Sequence, residues 1–278
     1  MTVETPSGKD AGYENFPVGS WLLPSHLRPH VAVFYAFARA IDDIADDPHL
    51  AADEKVRRLD IFKTALEDGR SGGVDLAKAH AMHRTLVETG IAPRHCLDLL
   101  SAFTQDAVKL RYRDWDDLMD YCQRSAAPVG RFLLDLHGSD AGDYGPADAL
   151  CNALQVINHL QDCQEDYRAL DRVYLPEDWM KAAGAAVADL DTDRTSPSLR
   201  VVLDRCLDGV DALLKEARTL PAVLTSRRLA MESAVILDIA HALVARLRRG
   251  DPLAGRIRLG PAEYAVCCTR GATAALFG

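Results

Sequence analysis

The chain has 278 residues, of which 48% are hydrophobic and 26% charged, a balance that suits a globular protein with a sizeable core. Its formal net charge of −9 argues against a general nucleic-acid binder and against strong electrostatic binding to an anionic membrane surface. The seven cysteines are odd in number and show no CxxC spacing, so we interpret them as reduced, mostly buried thiols of a cytosolic protein.

Helix signals dominate the chain, because alanine and leucine are abundant and alternating β-branched runs are scarce. Residues 1–14 are predicted to form a flexible N-terminal arm, and residues 15–278 a single all-α domain, a helical bundle with a central cavity. Asp114 is a predicted N-cap for the helix 115–138, and Pro128 and Gly130 should bend or break that helix. The stretch 181–197 should be a loop with some helix. The predicted helices are 29–46, 51–69, 75–90, 93–111, 115–138, 147–169, a short segment after Pro176, 198–219, 222–249 and 261–275.

The sequence shows no segment that would cross or enter a membrane. The N-terminus has no apolar signal core, and no stretch approaches the roughly 18 uninterrupted apolar residues of a spanning helix. We therefore expect a cytoplasmic protein. The basic cluster RLRR at 246–249 is explained by compensation of a helix macrodipole, but it leaves open a peripheral contact with the inner face of the membrane.

Two aspartates lie one helical turn apart in the apolar segment FYAFARAIDDIADD. At about 100° per residue, Asp42 and Asp46 share a helix face with Arg39 and Tyr35, and Asp43 lies at its margin. Like charges at this spacing repel each other by roughly a few tenths of a kcal/mol. Their presence on an otherwise apolar helix indicates a cation nearby.

A second polar stripe follows the same design in LQVINHLQDCQEDY. Gln155, Asn158, Asp162 and Asp166 line one face of a predicted helix over about three turns. We interpret His159, in the same helix, as a packing residue or a contact behind the site rather than a metal ligand.

Aspartate, asparagine and glutamine are short oxygen ligands, which suit Mg²⁺ better than Zn²⁺. Either stripe alone could be an ordinary solvated face, but two together favour a metal site. Two facing helices of this kind would hold Mg²⁺ ions that neutralise a bound diphosphate and make it a better leaving group. Arg39 and Arg172 could add charge-assisted contacts to that diphosphate.

Three ordered segments resemble the head-to-head prenyl synthases, a family that includes squalene, phytoene and dehydrosqualene synthases. They are NFPVGSWLLPSHLRPHVAVFYAFARAIDDIAD at 15–46, YCQRSAAPVGRFLL at 121–134 and QVINHLQDCQEDYRALDRVYLPED at 155–178. The resemblance runs from residue 13 to the C-terminus. It implies the all-α isoprenoid-synthase fold, a prenyl diphosphate substrate and Mg²⁺ as cofactor.

The resemblance also implies roles for single residues. Tyr35 and Tyr121 match cavity tyrosines near the reacting carbons, so we expect them to take part in catalysis together with Asp42 and Asp162. The implied metal ligands are Asp42, Asp43, Asp46, Asn158, Asp162 and Asp166.

Further positions are expected to bind the substrate. Arg39 and Arg172 match residues that contact the diphosphate, and Gln155 matches a polar residue that lines the site. Phe16 and Phe34 are interpreted as walls of a cavity for a long polyene, because aromatic faces stabilise cations. The alternative for both phenylalanines is ordinary core packing.

Within this family, the Asn-Phe start, the PVGR form of the central motif and the short tail most resemble the bacterial hydroxysqualene synthases of the hopanoid pathway. This implies conversion of presqualene diphosphate to hydroxysqualene. It also implies functional coupling to a presqualene diphosphate synthase and to a hydroxysqualene reductase. The chain departs from the family pattern at Asp171, where a glycine is often found, and at Asn15, where many synthases have serine.

Two alternatives stay open. The motifs are shared with enzymes that condense two prenyl diphosphates to presqualene diphosphate, dehydrosqualene or phytoene, so they do not separate these reactions. A non-catalytic partner that only binds lipid diphosphates is the alternative from another class, and the intact aspartate pairs speak against it.

Overall fold

The computed structural model describes residues 3–4, 23–70, 76–138 and 144–277, with side chains up to residue 273. Apart from Val3 and Glu4, the predicted arm lies outside the described residues, as does Phe16. Within the described ranges the chain is mostly α-helical, which confirms the predicted fold class. The described helices include none that is both long and apolar enough to cross a membrane.

The described helices follow one another with short connections. A 3₁₀ helix, Val187–Asp191, lies in the predicted connecting loop, and the two strands are β1 (Arg111–Tyr112) and β2 (Val173–Pro176). The helices are α1 (Arg28–Asp46), α2 (Ala52–Asp68), α3 (Ala77–Thr89), α4 (Arg94–Asp106), α5 (Trp115–Ser125), α6 (Ala127–Leu136), α7 (Gly145–Leu170), α8 (Glu177–Ala183), α9 (Pro197–Ala217), α10 (Leu220–Val223), α11 (Arg227–Arg249) and α12 (Pro261–Phe277).

The chain divides into two compact units, and the first comprises residues 1–108 and 128–142. In its described part, α1 packs against α2, α3 and α4. The core contains fully buried Phe37 and Phe62, whose ring centroids lie 6.4 Å apart. This packing buries the apolar side of α1 and so determines which of its faces remains half-exposed.

The second unit comprises residues 109–127 and 143–278. Here α7 packs against α9, and α11 packs against α12. The last pair approaches closely at Gly271, where a Cβ atom would lie 2.5 Å from the Val235 backbone. A side chain at this position would therefore push the two helices apart.

The predicted helix 93–111 is too long, because α4 ends at Asp106. The residues that follow form β1, which pairs in parallel with β2, and the N–H of Val173 donates to the carbonyl of Leu110 at 2.9 Å. Local helix propensity extends into this segment, but pairing with β2 overrides it. That partner lies some 60 positions further along the chain, as in the contact between Arg111 and Asp171.

The predicted helix 115–138 is interrupted at Ala126, which has φ −122° and ψ −48°. Pro128 consequently lies in the first turn of α6, where its missing N–H costs no helical hydrogen bond. The break predicted for this helix is confirmed. The predicted N-cap is confirmed too, because the Asp114 carboxylate accepts from the N–H of Asp117 at 2.9 Å.

The predicted helix 222–249 is two helices. Residues 220–223 form the short helix α10, and α11 starts afresh at Arg227. The reason is local, since the Ser226 hydroxyl accepts from the N–H of Leu229 at 3.4 Å and caps the new helix.

All seven cysteines lie in the described ranges, and none of them forms a disulfide. Five are buried and two, Cys151 and Cys268, are half-buried. Burial raises the pKa of Cys96 and of Cys163 to about 12, so both stay protonated thiols near neutral pH. The interpretation of the cysteines as reduced and mostly buried is confirmed.

Candidate functional site

The first group of candidate residues lies on the half-exposed face of α1. Phe34, Phe37 and Ile41 are buried in the core of their unit, as the helical periodicity predicts. The residues on the predicted polar face, together with the small Ala38 between them, are all half-buried: Tyr35, Ala38, Arg39, Asp42 and Asp46.

Arg39 links the carboxylates of this group, which we call the α1 cluster (Arg39, Asp42, Asp43 and Asp46). Its Nη1 lies 3.0 Å from Oδ2 of Asp42, and its Nε donates to Oδ1 of Asp43 at 3.0 Å. Asp43, expected at the margin of the face, is 7% exposed and lies toward the core. The guanidinium therefore holds two neighbouring carboxylates in place and balances part of their charge.

The charge on Asp42 is nevertheless unfavourable. Burial raises the pKa of Asp42 well above its ordinary value, the negative charge of Asp46 raises it further, and Arg39 lowers it only in part. Asp43 and the buried Asp106 of α4 also contribute to the increase. A cation bound at this cluster would relieve the repulsion.

The end of α1 that carries these aspartates is fixed by a lysine from the next helix. Lys55, a buried residue of α2, donates from Nζ to the carbonyl of Ala45 at 2.8 Å. The last turn of α1 has no basic residue of its own, so Lys55 supplies the positive charge that favours a helix C-terminus. This contact positions the turn that contains Asp46.

The second group lies on α7, whose other faces are buried over most of its length. Its central residues leave one half-buried stripe, which coincides with the polar face predicted from sequence and includes one cysteine. The half-buried residues of this stripe are Cys151, Gln155, Asn158, Asp162 and Asp166. We call the four polar members the α7 stripe.

One partner in the α7 stripe was missed by the sequence analysis. Arg256, in the connection between α11 and α12, forms an ion pair with Asp162. Its Nε lies 2.7 Å from Oδ1, and its Nη2 donates to Oδ2 at 2.8 Å. The only sequence signal was the pair of arginines in the segment GRIRLG, and nothing local connects that segment to Asp162.

Behind the α7 stripe lies a cluster of aromatic rings that belongs to the same unit. The His159 ring stacks on Tyr174 with centroids 3.5 Å apart, and Tyr121 lies 5.6 Å from Tyr174 and 6.0 Å from His159. Tyr112 completes it, with its centroid 5.4 Å from both Tyr121 and Tyr174. Tyr121, predicted to be catalytic, is thus a buried member of an aromatic cluster.

Arg172 and Gln155 connect this cluster to polar groups. Arg172, only 3% exposed, donates from Nη1 to the hydroxyl of Tyr174 at 3.2 Å. Burial, assisted by the nearby Arg172 charge, lowers the pKa of His159 to about 3, so the imidazole is neutral. Its Nε2 lies 3.3 Å from Nε2 of Gln155, where the neutral ring can accept a hydrogen bond from the amide. His159 thus packs on Tyr174 and contacts Gln155, in agreement with its interpretation as a packing residue or a contact behind the site.

The unusual Asp171 is explained by the backbone. It follows α7 in the left-handed region, with φ 52° and ψ 28°, a conformation that glycine adopts without strain. Its carboxylate pairs with Nη2 of Arg111 at 2.6 Å, which ties the end of α7 to β1. The ion pair offsets part of the cost of a side chain at this position.

Phe34, the predicted cavity wall, lies in the core of the first unit. Its ring stacks on that of Phe132 with centroids 4.1 Å apart and an interplanar angle of 6°. Contact with a substrate stays a prediction for Phe34.

The oxygen donors fit a magnesium ion that arrives with a phosphate ligand. Among the described residues, no three side chains of histidine, cysteine, aspartate or glutamate are grouped so as to hold a metal ion. The α1 cluster and the α7 stripe instead offer aspartates one turn apart, with Asn158 beside the second pair. Mg²⁺ is commonly bound through one or two carboxylates and substrate phosphates and keeps several waters.

A mostly helical fold with two such aspartate-bearing faces is that of a class of protein, the helical enzymes that bind and ionise prenyl diphosphates. The family model for squalene/phytoene synthases matches residues 10–263. The chain belongs to the squalene/phytoene synthase family.

Individual relatives agree with this assignment. The hydroxysqualene synthase of Rhodopseudomonas palustris is 45% identical over 267 residues, which cover 95% of this chain and 89% of the relative. That of Sinorhizobium fredii is 41% identical over 250 residues, or 90% and 85% of the two chains. The crystal structure of squalene synthase HpnC from Alicyclobacillus acidocaldarius is 35% identical with a TM-score of 0.75, over 85% of this chain and 89% of that chain.

Proposed function

We propose that the protein converts presqualene diphosphate to hydroxysqualene in hopanoid biosynthesis, with residues 15–278 acting as one catalytic domain. The reaction consists of loss of diphosphate, rearrangement of the resulting carbocation and capture by water. The observation that carries this proposal is the identity of 41–45% to hydroxysqualene synthases over at least 90% of the chain. The intact α1 cluster and α7 stripe support it.

The α1 cluster has the properties of a binding site for a metal-bound diphosphate. Asp42 and Asp46 are half-buried, so their oxygens are accessible from one side, and burial together with the charge of Asp46 disfavours the charge on Asp42 in the absence of a cation. Arg39 orients Asp42 and Asp43 and offers a cation near the place where the leaving group would lie. The family resemblance implies that Asp43 is a metal ligand. Its contact with Arg39 also gives it a role in positioning that guanidinium.

The α7 stripe supplies the second set of proposed ligands, Asn158, Asp162 and Asp166. Bound Mg²⁺ would neutralise the diphosphate and polarise its oxygens, making it a better leaving group. Gln155, at the other end of the stripe, is proposed to orient the substrate through its amide, which is held near His159.

The aromatic residues are proposed to protect the carbocation. Tyr121 belongs to a buried cluster of rings, whose faces can stabilise a nearby positive charge by about 2 kcal/mol or more when water is excluded. The neutral His159 adds no opposing charge, and Arg172 is held by the Tyr174 hydroxyl where it could contact the departing diphosphate. Tyr35, half-buried beside the α1 cluster, is proposed to act near the reacting carbons.

The chemistry implies a place among other enzymes. We propose that a separate presqualene diphosphate synthase supplies the substrate and that a hydroxysqualene reductase consumes the product. A cytoplasmic location and a peripheral membrane contact stay predictions. Two arginines of the basic cluster at 246–249, the candidate for that membrane contact, already form ion pairs within the protein. Arg246 pairs with Glu263 at 2.5 Å, and Arg248 pairs with Asp208 and Asp211.

Substrate specificity tests the proposal directly. The purified protein would be incubated with Mg²⁺ and, separately, presqualene diphosphate, farnesyl diphosphate or geranylgeranyl diphosphate, and the products identified by mass spectrometry. We expect hydroxysqualene to form in the incubation with presqualene diphosphate and not in the other two. Consumption of farnesyl or geranylgeranyl diphosphate without a sister enzyme would identify a condensing synthase instead.

The non-enzymatic alternative is tested in cells. Asp42→Ala and Asp162→Ala should abolish hopanoid output, whereas Asp60→Ala, which removes an exposed aspartate of α2, should leave it unchanged. Normal output from the first two variants would favour a protein that only binds lipid diphosphates.

A further inference from the structure

The α7 stripe contains a cation of its own. The guanidinium of Arg256 lies against both oxygens of Asp162, at 2.7 and 2.8 Å, although the two residues are 94 positions apart. Their side chains are only 19% and 22% exposed. Because the pair is partly buried and combines a charge-assisted hydrogen bond from Nη2 with a close approach of Nε, it is stronger than an ordinary surface ion pair.

The backbone that carries Arg256 is anchored to α7 and to the end of α11. Gln161, a buried residue adjacent to Asp162, donates from Nε2 to the carbonyl of Ile257 at 2.5 Å. On the other side, the Ile257 side chain packs where a Cβ on Gly250 would lie, 2.5 Å from that Cβ position. Arg256 is therefore held at Asp162 by two independent contacts of its neighbour, which makes the pair a built feature of the fold.

A metal ion at Asp162 would meet this arginine as a competitor. Mg²⁺ needs carboxylate oxygens at about 2.0–2.1 Å, whereas Oδ2 of Asp162 already accepts from Nη2 of Arg256 and Oδ1 lies 2.7 Å from its Nε. A divalent ion there would also lie close to a fixed positive charge, and at low effective dielectric that repulsion is substantial. A bound diphosphate adds negative charge that favours both cations together.

We propose that Arg256 is a positioning residue that holds Asp162 in the metal-free protein and disfavours metal binding there until a diphosphate binds. The proposal rests on the proposed function, since it takes Asp162 as a metal ligand. It makes metal and diphosphate binding cooperative, and by linkage each ligand raises the affinity of the protein for the other by the same factor. Arg256 sets the size of that factor by weakening the binding of metal alone.

The affinity for Mn²⁺, a paramagnetic substitute for Mg²⁺, tests the proposal without any turnover. Mn²⁺ binding would be titrated by electron paramagnetic resonance, with and without inorganic pyrophosphate. The variants are Arg256→Gln, which removes the charge, and Arg256→Lys, which keeps the charge but loses the planar guanidinium and its two contacts with Asp162. The matched control is Arg248→Gln, which removes an arginine that pairs with Asp208 and Asp211 in the same unit.

We expect Arg256→Gln to bind Mn²⁺ about tenfold more tightly than the wild type in the absence of pyrophosphate, which corresponds to about 1.4 kcal/mol. Arg256→Lys should be intermediate, and Arg248→Gln should match the wild type. The gain in affinity on adding pyrophosphate should shrink in Arg256→Gln. If Arg256→Gln does not fold, the intermediate affinity of Arg256→Lys decides.

An unchanged or weaker Mn²⁺ affinity in both Arg256 variants would overturn the proposal. Asp162→Asn separates this failure from a failure of the proposed function. If Asp162→Asn abolishes the pyrophosphate-dependent Mn²⁺ binding while the Arg256 variants behave as wild type, only the role of Arg256 is wrong. If Asp162→Asn binds Mn²⁺ and pyrophosphate as the wild type does, the metal assignment of the α7 stripe is itself wrong, and this inference falls with it.

Discussion

Replacing Asp42 by asparagine should stabilise the metal-free protein at neutral pH while removing its activity. The carboxylate is disfavoured by burial and by Asp46, and the ion pair with Arg39 offsets these effects only in part. Asparagine keeps the size and hydrogen-bonding capacity of the side chain but carries no charge. A residue that destabilises the fold is expected where a ligand supplies the missing compensation.

The magnitude follows from the contacts of Asp42. Removing its charge relieves the repulsion with Asp46 one turn away, about 0.2–0.5 kcal/mol, and the desolvation cost of a side chain that is 26% exposed. The substitution also removes the ion pair with Arg39. Because Arg39 keeps its hydrogen bond to Asp43 at 3.0 Å, the stabilising free energy that is lost is at the low end for an ion pair. We expect a net stabilisation of about 0.5–1 kcal/mol.

The sign of the pH dependence is fixed by the direction of the pKa shift. Because the pKa of Asp42 is raised on folding, the folded protein binds the proton more tightly than the unfolded chain. The unfavourable contribution of the Asp42 charge to the free energy of unfolding is absent below the ordinary pKa of 3.8 and grows as the pH rises through the raised pKa. The difference in stability between Asp42→Asn and wild type should therefore be small in acid and largest above that value.

Urea unfolding followed by circular dichroism, in the presence of a chelator at several pH values, measures this difference. The control is Asp60→Asn, which removes an exposed aspartate and should change the free energy of unfolding by less than about 0.5 kcal/mol. An Asp42→Asn variant that is less stable than wild type at neutral pH, or a difference that does not vary with pH, would refute the reasoning.

Three further predictions concern the surroundings of the site. Asp171→Gly should be about 1 kcal/mol more stable than Asp171→Ala in urea unfolding, because both lose the ion pair with Arg111 and only alanine is strained at φ 52°; equal stabilities would contradict this. Phe132→Ala should destabilise the protein by about 3–5 kcal/mol, since its fully buried ring stacks on Phe34, and a change in melting temperature of only a degree or two would be inconsistent with that packing. His159→Gln should leave the acid limb of the kcat profile in place, because a histidine with a pKa of about 3 is already neutral there; a limb that moves between pH 5 and pH 7 would show that His159 titrates during turnover.

The sequence predicted the helices where the signal is local. The start of α7 and the end of α1 were predicted within a few residues, because periodicity and helix-ending prolines such as Pro48 are properties of one segment. The errors occur where a remote partner decides. The segment after α4 is not helical, because part of it forms β1 and pairs with β2, and no pattern within 93–111 predicts that strand.

The sequence by itself determined which side chains share a helix face. The spacing of Asp42 and Asp46, and of Asn158, Asp162 and Asp166, fixes two polar stripes, because residues three and four apart lie on one side of any α-helix. That is why the half-buried face of each helix is the one predicted.

Only the tertiary structure decided what surrounds those faces. The pairing of Arg256 with Asp162, the neutral state of His159 and the support of α1 by Lys55 depend on contacts between elements or on burial in the folded chain. Charge balance and pKa values are set by distance in space and by burial, and neither quantity exists until the chain has folded.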